Sequence, residues 1–376
     1  MKIIVAPDSF KGSLTATEVA YTIKDALLQS GEHQVITKPM ADGGEGTIEA
    51  ILSATDGERV QIRTLGPLGN GIHTSYAIIH ETTAVIETAM HAGLYQVPAE
   101  QRNPDNVTTY GIGQAILHAL DKGCRQFIIG LGGSATNDGG LGMLQALGLK
   151  AFDHSGNTLD KFGKDLLHMD SIQLEQLDPR LSQATFRIAC DVDNPLCGQL
   201  GASNVYGPQK GATPEQIPLY DQALHHFANL IEAQLTDNYQ DIAGSGAAGG
   251  LGFAFLALGG KLQSGSGLIA DIISLEQSIK TADLVFTGEG QSDEQTLYGK
   301  APGFVAKVAN KYQVPVILLS GSLGNNIDKL SNHFAGCFSI VNKPLSLAEC
   351  MTNSKSLLRE QSQQIIHLID VLLKAR

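Results

Sequence analysis

The chain has 376 residues, enough for two domains that each bury a full core, and its 43% hydrophobic content indicates a globular protein. No segment approaches a membrane span, and the first residues, MKIIVAPDS, read as a strand and loop, not as a signal peptide. A net charge of −12 argues against nucleic acid as partner, and it requires that any anionic substrate meet a site made locally positive.

The pattern along the chain is α/β. Lys2 to Ala6 reads as a buried first strand, and Thr15 with Glu18 forms a capping box for a helix carrying Val19, Ile23 and Leu27. A second helix is expected from Thr47 to Leu52, after the turn Gly43-Gly44-Glu45-Gly46. Between Arg59 and Glu87 the pieces Val60 to Ile62, Ser75 to Ile79 and Ala84 to Glu87 predict an antiparallel meander. Helix and strand return at Thr108 to Ala119 and Phe127 to Leu131. Later, Asp283 to Thr287, Val314 to Ser320 and Cys337 to Val341 are apolar runs that predict parallel strands, and Ser356 to Leu373 has the spacing of a packing helix. The two ends share one texture and the middle another. That predicts a discontinuous domain of residues 1–60 plus 280–376, interrupted by an inserted mixed α/β domain of residues 61–279.

Five clusters carry chemistry, each a loop after an apolar run, with a second glycine run and Lys210 besides. FIIGLGGSATNDGG, Phe127 to Gly140, joins a strand, a glycine turn and a helix start, which together suit an anion; Gly132, Gly133, Ser134 and Asn137 are its candidate ligands. The same run fits G-x-G-x-x-A with Asp153 as a ribose acid, but it lies more than a hundred residues from the N-terminus. A second glycine run starts at Gly244 and offers Ser245 and Gly246; no Walker spacing exists. Asp8 and Lys11 follow the first strand, where open α/β sheets bind ligands. Met40 to Thr47 places acids between glycines. Asp191 and Asp193 in ACDVDNP offer oxygens suited to Mg²⁺, or a general base for a hydroxyl. Thr287 to Asp293 supplies Glu289 and Asp293, with Thr296 and Lys300 nearby, and Lys210 lies in a further cationic loop.

Each acid also fits a plain cap or turn, but five acid-bearing glycine loops exceed what capping needs. The five cysteines lack C-x-x-C spacing, which suggests reduced structural thiols and a cytoplasmic protein. The histidines show no metal spacing and no G-x-S-x-G elbow exists. Acids, small hydroxyls and lysines without a cysteine or histidine nucleophile suit phosphoryl transfer better than a dehydrogenase or a binding module.

Seven motifs, APDSFKGSLTA, PMADGGEGT, GLGGSATNDGG, ACDVDNPLCG, VYGPQKGA, GSGAAGGLGFAF and TGEGQSDEQTLYGKAPGFVA, together resemble the bacterial glycerate kinases of the family I type. The resemblance implies ATP-dependent phosphorylation of D-glycerate with Mg²⁺, at the 2-hydroxyl to give 2-phosphoglycerate. Attack by the 3-hydroxyl and another small hydroxy acid stay open as alternatives, as does a homo-oligomer. It also implies two α/β domains, one Rossmann-like and discontinuous, with the active site in the cleft. Residue roles rest on chemistry. Asp191 would take the hydroxyl proton or hold Mg²⁺ beside Asp193, and Asp8 would hold a hydroxyl or the metal. Lys11 and Lys210 would meet the glycerate carboxylate or the transferring phosphoryl. Gly132, Gly133 and Ser134 would cradle the ATP phosphates, with Asn137, Ser245 and Gly246 also on the nucleotide side. Glu289 and Asp293 would complete the metal site.

Overall fold

The computed structural model describes residues 1–375 apart from positions 236 and 326. In chain order the strands are β1 (Lys2–Val5), β2 (Gln34–Thr37), β3 (Gly57–Leu65), β4 (Gly71–Ile79) and β5 (Thr83–Glu87). Then come β6 (Gln126–Gly130), β7 (Lys150–Asp153), β8 (Met169–Gln173), β9 (Thr185–Ala189) and β10 (Lys261–Gln263). The last are β11 (Leu284–Thr287), β12 (Gln291–Ser292), β13 (Val316–Ser320), β14 (Ser322–Leu323) and β15 (Gly336–Ser339). Helices alternate with them, so the fold class is α/β. Among the described residues no helix is long and apolar enough to cross a membrane.

The chain divides into two compact units. One holds Met1–Asp42, Glu49–Thr55 and Ser266–Arg376; the other holds Gly43–Ile48 and Asp56–Gly265. The first unit is built on a parallel sheet in the order β15-β13-β11-β1-β2. Its central strands, LVFT and VILLS, are apolar up to a hydroxyl residue at the carboxyl end, with every residue buried, as a parallel sheet covered on both faces requires. The helix Ala16–Ser30 begins at the expected capping box: Glu18 N–H donates to Thr15 Oγ1 at 3.2 Å and Thr15 N–H to Glu18 Oε2 at 2.9 Å. Its buried face, with Val19, Ile23 and Leu27, joins Ile3, Phe286, Leu358 and Ile366 in one core. Each such side chain is worth about 1.5–3 kcal/mol of burial. Strand β1 has β2 on one side and β11 on the other, so the strand order reverses between β1 and β11. Ligands of open parallel sheets bind at the carboxyl ends beside such a reversal.

The second unit has a six-stranded mixed sheet, β10-β9-β6-β5-β4-β3. The expected meander is present as antiparallel β3, β4 and β5, and β5, β6, β9 and β10 run parallel. Phe127, Phe186 and Phe255 stack in its core, with centroids 5.0 and 5.8 Å apart. A separate ribbon of β7 and β8, which the sequence pattern did not suggest, is antiparallel.

The glycine run after Gly244 folds as a tight crossing. Ala248, Gly249 and Gly250 have φ of +52°, +71° and +94°, and Gly139 N–H donates to Gly249 O at 2.9 Å. A Cβ on Gly249 would lie 2.0 Å from Thr136 O. Gly249→Ala is therefore expected to cost about 2 kcal/mol or more, from both clash and left-handed backbone. Urea unfolding measures this, and a loss below about 0.5 kcal/mol would contradict the crossing.

Candidate active site

In the first unit the loops after β1 and β11 meet at the strand-order reversal. Asp8 N–H donates to Gly288 O at 2.8 Å, which ties the two loops together. The Asp8 carboxyl is half-buried and accepts the Ser9 N–H at 2.6 Å. Burial, and then the Asp42 and Glu289 charges, push its pKa up to about 7 against the pull of the Ser9 N–H and Lys11. Lys11 is exposed, with Nζ 3.8 Å from Asp42 Oδ2. The loop thus holds a carboxyl with a pKa near neutrality beside an exposed cation.

Glu289 is placed differently from its expected role as a metal ligand. Its Oε1 accepts Thr296 Oγ1 at 2.6 Å and Ser292 Oγ at 3.1 Å, while Oε2 lies 3.4 Å from Lys300 Nζ. Ser292 Oγ in turn meets Ser320 Oγ at 2.7 Å. With both oxygens engaged, Glu289 anchors the loops after β11 and β13 and sets Lys300. Asp293 caps the next turn through the Gln295 N–H at 2.8 Å and lines an open cavity of about 620 Å³ with Gln291, Gln295, Tyr298 and Asn325.

In the second unit the strand, glycine turn and short helix of the first glycine run form as expected: β6, then Gly132–Ser134, then Leu141–Ala146. The helix start has no N–H groups to spare. Asp138, fully buried, accepts Gly140 N–H at 3.1 Å and Gly142 N–H at 3.3 Å, and Thr109 Oγ1 accepts Met143 N–H at 2.9 Å. Asp138 also takes the Thr109 N–H at 2.9 Å and its hydroxyl at 2.7 Å. Burial raises its pKa, and these donors oppose the rise.

The individual nucleotide candidates separate. Gly132 N–H donates to Gly43 O at 3.2 Å, so it is not open to a phosphate. Gly133 is exposed with φ +73°, and no other backbone group takes the Gly133 or Ser134 N–H among the described residues. Asn137 is buried, its Nδ2 on Ser203 Oγ at 2.9 Å. Ser245 and Gly246 make contacts within the fold: Ser245 Oγ donates to Gln240 O at 2.7 Å, and Gly246 N–H donates to Asn194 O at 3.0 Å. Their donors fasten one loop to another.

Lys210 is buried rather than presented to a substrate. Its Nζ donates to Thr136 O at 2.7 Å and Ser134 Oγ at 3.0 Å. Burial lowers its pKa to about 7, partly offset by Asp138. Its amino group thus backs the Ser134 hydroxyl from inside the fold. Asp191 and Asp193 are exposed in the loop after β9, and Asp191 Oδ1 accepts the Gly265 N–H at 2.9 Å.

Mg²⁺ suits part of the predicted set. Among the described residues no three His, Cys, Asp or Glu side chains converge on a metal position. Mg²⁺ needs only one or two carboxylates when phosphates and water complete its shell. The exposed carboxylate of Asp193 fits that requirement, and that of Asp191 is exposed with one oxygen on the Gly265 N–H; both oxygens of Glu289 have protein partners. Sequence reasoning missed Glu87, Thr109, Ser203 and Ser320. Glu87 left one signal, an acid closing an otherwise apolar strand, TAVIE, that is buried throughout.

Carboxylates, small hydroxyls and lysines in the loops of each α/β unit suit a phosphotransferase. The glycerate kinase family model matches residues 3–370, and the chain belongs to that family. It is 45% identical to the glycerate kinase of Halalkalibacterium halodurans over 96% of this chain and 97% of that one. It is 46% identical to the glycerate 2-kinase of Escherichia coli over 89% of this chain and 88% of that one. A crystal structure of a protein provisionally assigned as glycerate kinase 2 from Salmonella typhimurium LT2 superposes with a TM-score of 0.90 at 42% identity. It covers 100% of this chain and 99% of its own.

Proposed function

We propose that this protein transfers the γ-phosphoryl group of ATP to the 2-hydroxyl of D-glycerate, giving 2-phosphoglycerate and ADP. One observation carries the chemistry: Asp8 stands where β1 and β11 part, with a pKa near 7 and Lys11 in the same loop. A base near neutrality is what deprotonating an alcohol at physiological pH calls for. The substrate follows from the relatives, which include a glycerate 2-kinase at 46% identity.

In this reading Asp8 takes the hydroxyl proton as the 2-oxygen bonds to the γ-phosphorus. The bond from that phosphorus to the oxygen bridging to ADP breaks, and ADP leaves with those electrons. Lys11 meets the glycerate carboxylate. Gly133 and Ser134 hold ATP phosphates, with Lys210 supplying positive charge through Ser134. Asp191 and Asp193 would hold Mg²⁺, which neutralises phosphate charge when bound.

Phosphorus NMR of the product from D-glycerate and ATP tests the proposal. A single 2-phosphoglycerate signal is expected. A 3-phosphoglycerate signal would move the attack to the other hydroxyl, and ATP consumption only with a different hydroxy acid would overturn the substrate.

A further inference from the structure

The acid that ends β5 has no part in the chemistry above, yet Glu87 is only 3% exposed. Its Oε1 accepts the Ile48 N–H at 2.5 Å, across 39 positions of sequence, and the Gly46 N–H also reaches the carboxyl. These donors open the helix Thr47–Ala54, where N–H groups have no partner within the helix. Thr47 does not cap its own helix, because its hydroxyl donates to Gly44 O at 2.8 Å. Of the charges around Glu87, Arg59 favours the carboxylate and Glu45 opposes it.

The other end of this hexapeptide is fixed by close backbone approach. Gly43 O accepts the Gly132 N–H at 3.2 Å. A Cβ on Gly132 would lie 2.6 Å from Gly44 Cα, and one on Gly130 would lie 2.3 Å from Gly43 O. Contacts of this kind admit only glycine at positions 130 and 132. Gly43–Ile48 therefore lies across the carboxyl ends of β5 and β6, held by Glu87 at one and by Gly132 at the other. Gly133 and Ser134 follow directly.

We propose that Glu87 is a positioning residue for the nucleotide: by holding Gly46 to Ile48 it seats Gly43 and Gly44 against Gly132, and so fixes the Gly133–Ser134 turn. The inference rests on the reading that this turn meets ATP phosphates. Oxygen acceptors are what the hold requires, so a neutral amide should replace the carboxylate and a hydrocarbon should not.

The full-length Glu87→Leu and Glu87→Gln variants test it. Glu87→Leu is expected to raise KM for ATP at least about 5-fold, while kcat and KM for glycerate stay within about 2-fold; Glu87→Gln returns KM for ATP to within about 2-fold of wild type. Hydrogen exchange at Gly44 to Ile48 should quicken at least about 10-fold in Glu87→Leu and not in Glu87→Gln. Gly132→Ala, which presses on Gly44 from the other side, should reproduce the rise in KM for ATP and serves if Glu87→Leu does not fold. The proposal falls if both Glu87→Leu and Gly132→Ala leave KM for ATP unchanged. It also falls if Glu87→Gln is no better than Glu87→Leu, or if the loss lies in kcat or in glycerate binding. A wild-type protein that makes no ADP with glycerate would overturn the parent reading instead, and the exchange measurement would still decide whether Glu87 holds the loop.

Discussion

Replacing Asp8 with Asn should lower kcat by about 10²- to 10⁴-fold, the usual contribution of a positioned general base. The wild-type rate should fall below a pKa near 7 as Asp8 gains its proton, and that limb should vanish from the residual rate of the variant. The same substitution should stabilise the protein. Between pH 3.8, the ordinary value, and about 7, the folded chain holds a proton that the unfolded chain has released. Stability therefore declines as pH rises through that window, by at most about 4 kcal/mol at 1.36 kcal/mol per pH unit, and by less because the carboxyl is only half-buried. Asp8→Asn should thus unfold at higher urea than wild type at pH 8 and show no such gain below pH 4. Loss of activity together with gained stability at pH 8 is the signature of a charge kept at a cost for function. A variant with wild-type turnover would remove Asp8 from the chemistry.

The second large effect is on folding. Asp138→Ala removes the acceptor of four hydrogen bonds in a fully buried position. Each donor left without a partner costs about 1–3 kcal/mol, so a loss of about 4 kcal/mol or more is expected. That is a large share of the stability of an ordinary domain. Asp138→Asn keeps one acceptor oxygen and should recover part of it. Equilibrium urea unfolding at pH 7 is the measurement, and a loss under about 1 kcal/mol for Asp138→Ala would show that the Thr109 and Gly142 donors find other partners.

The sequence is most legible where structure is local. The Thr15–Glu18 box spans three residues, and both of its bonds form. The meander declares itself through short apolar runs joined by turn residues, and the buried strands β11 and β13 through unbroken hydrophobic stretches. Long-range partners leave no such trace. Glu87 meets Ile48 across 39 residues, Asp138 meets Thr109 across 29, and Lys210 meets Ser134 across 76. Each residue type is visible in the sequence; its partner is set by how strands order in the sheet. The glycines of the second run have a use within the fold. A missing Cβ serves the approach of a ligand and the approach of another stretch of backbone equally well. At Gly246 and Gly249 the neighbour is Pro195 O or Thr136 O, at 2.2 and 2.0 Å from the absent Cβ.

Asp138 also makes the start of Leu141–Ala146 a receptor already filled by its own chain. A carboxyl tethered there loses no translational freedom on binding, and it already occupies the helix's free N–H groups. Inorganic phosphate or sulfate in a crystallisation liquor should therefore leave this helix start bare, however high its concentration. The Gly133 side of the turn is the exposed one. The most phosphate-like motif in the sequence is, at its helical end, a case of internal mimicry.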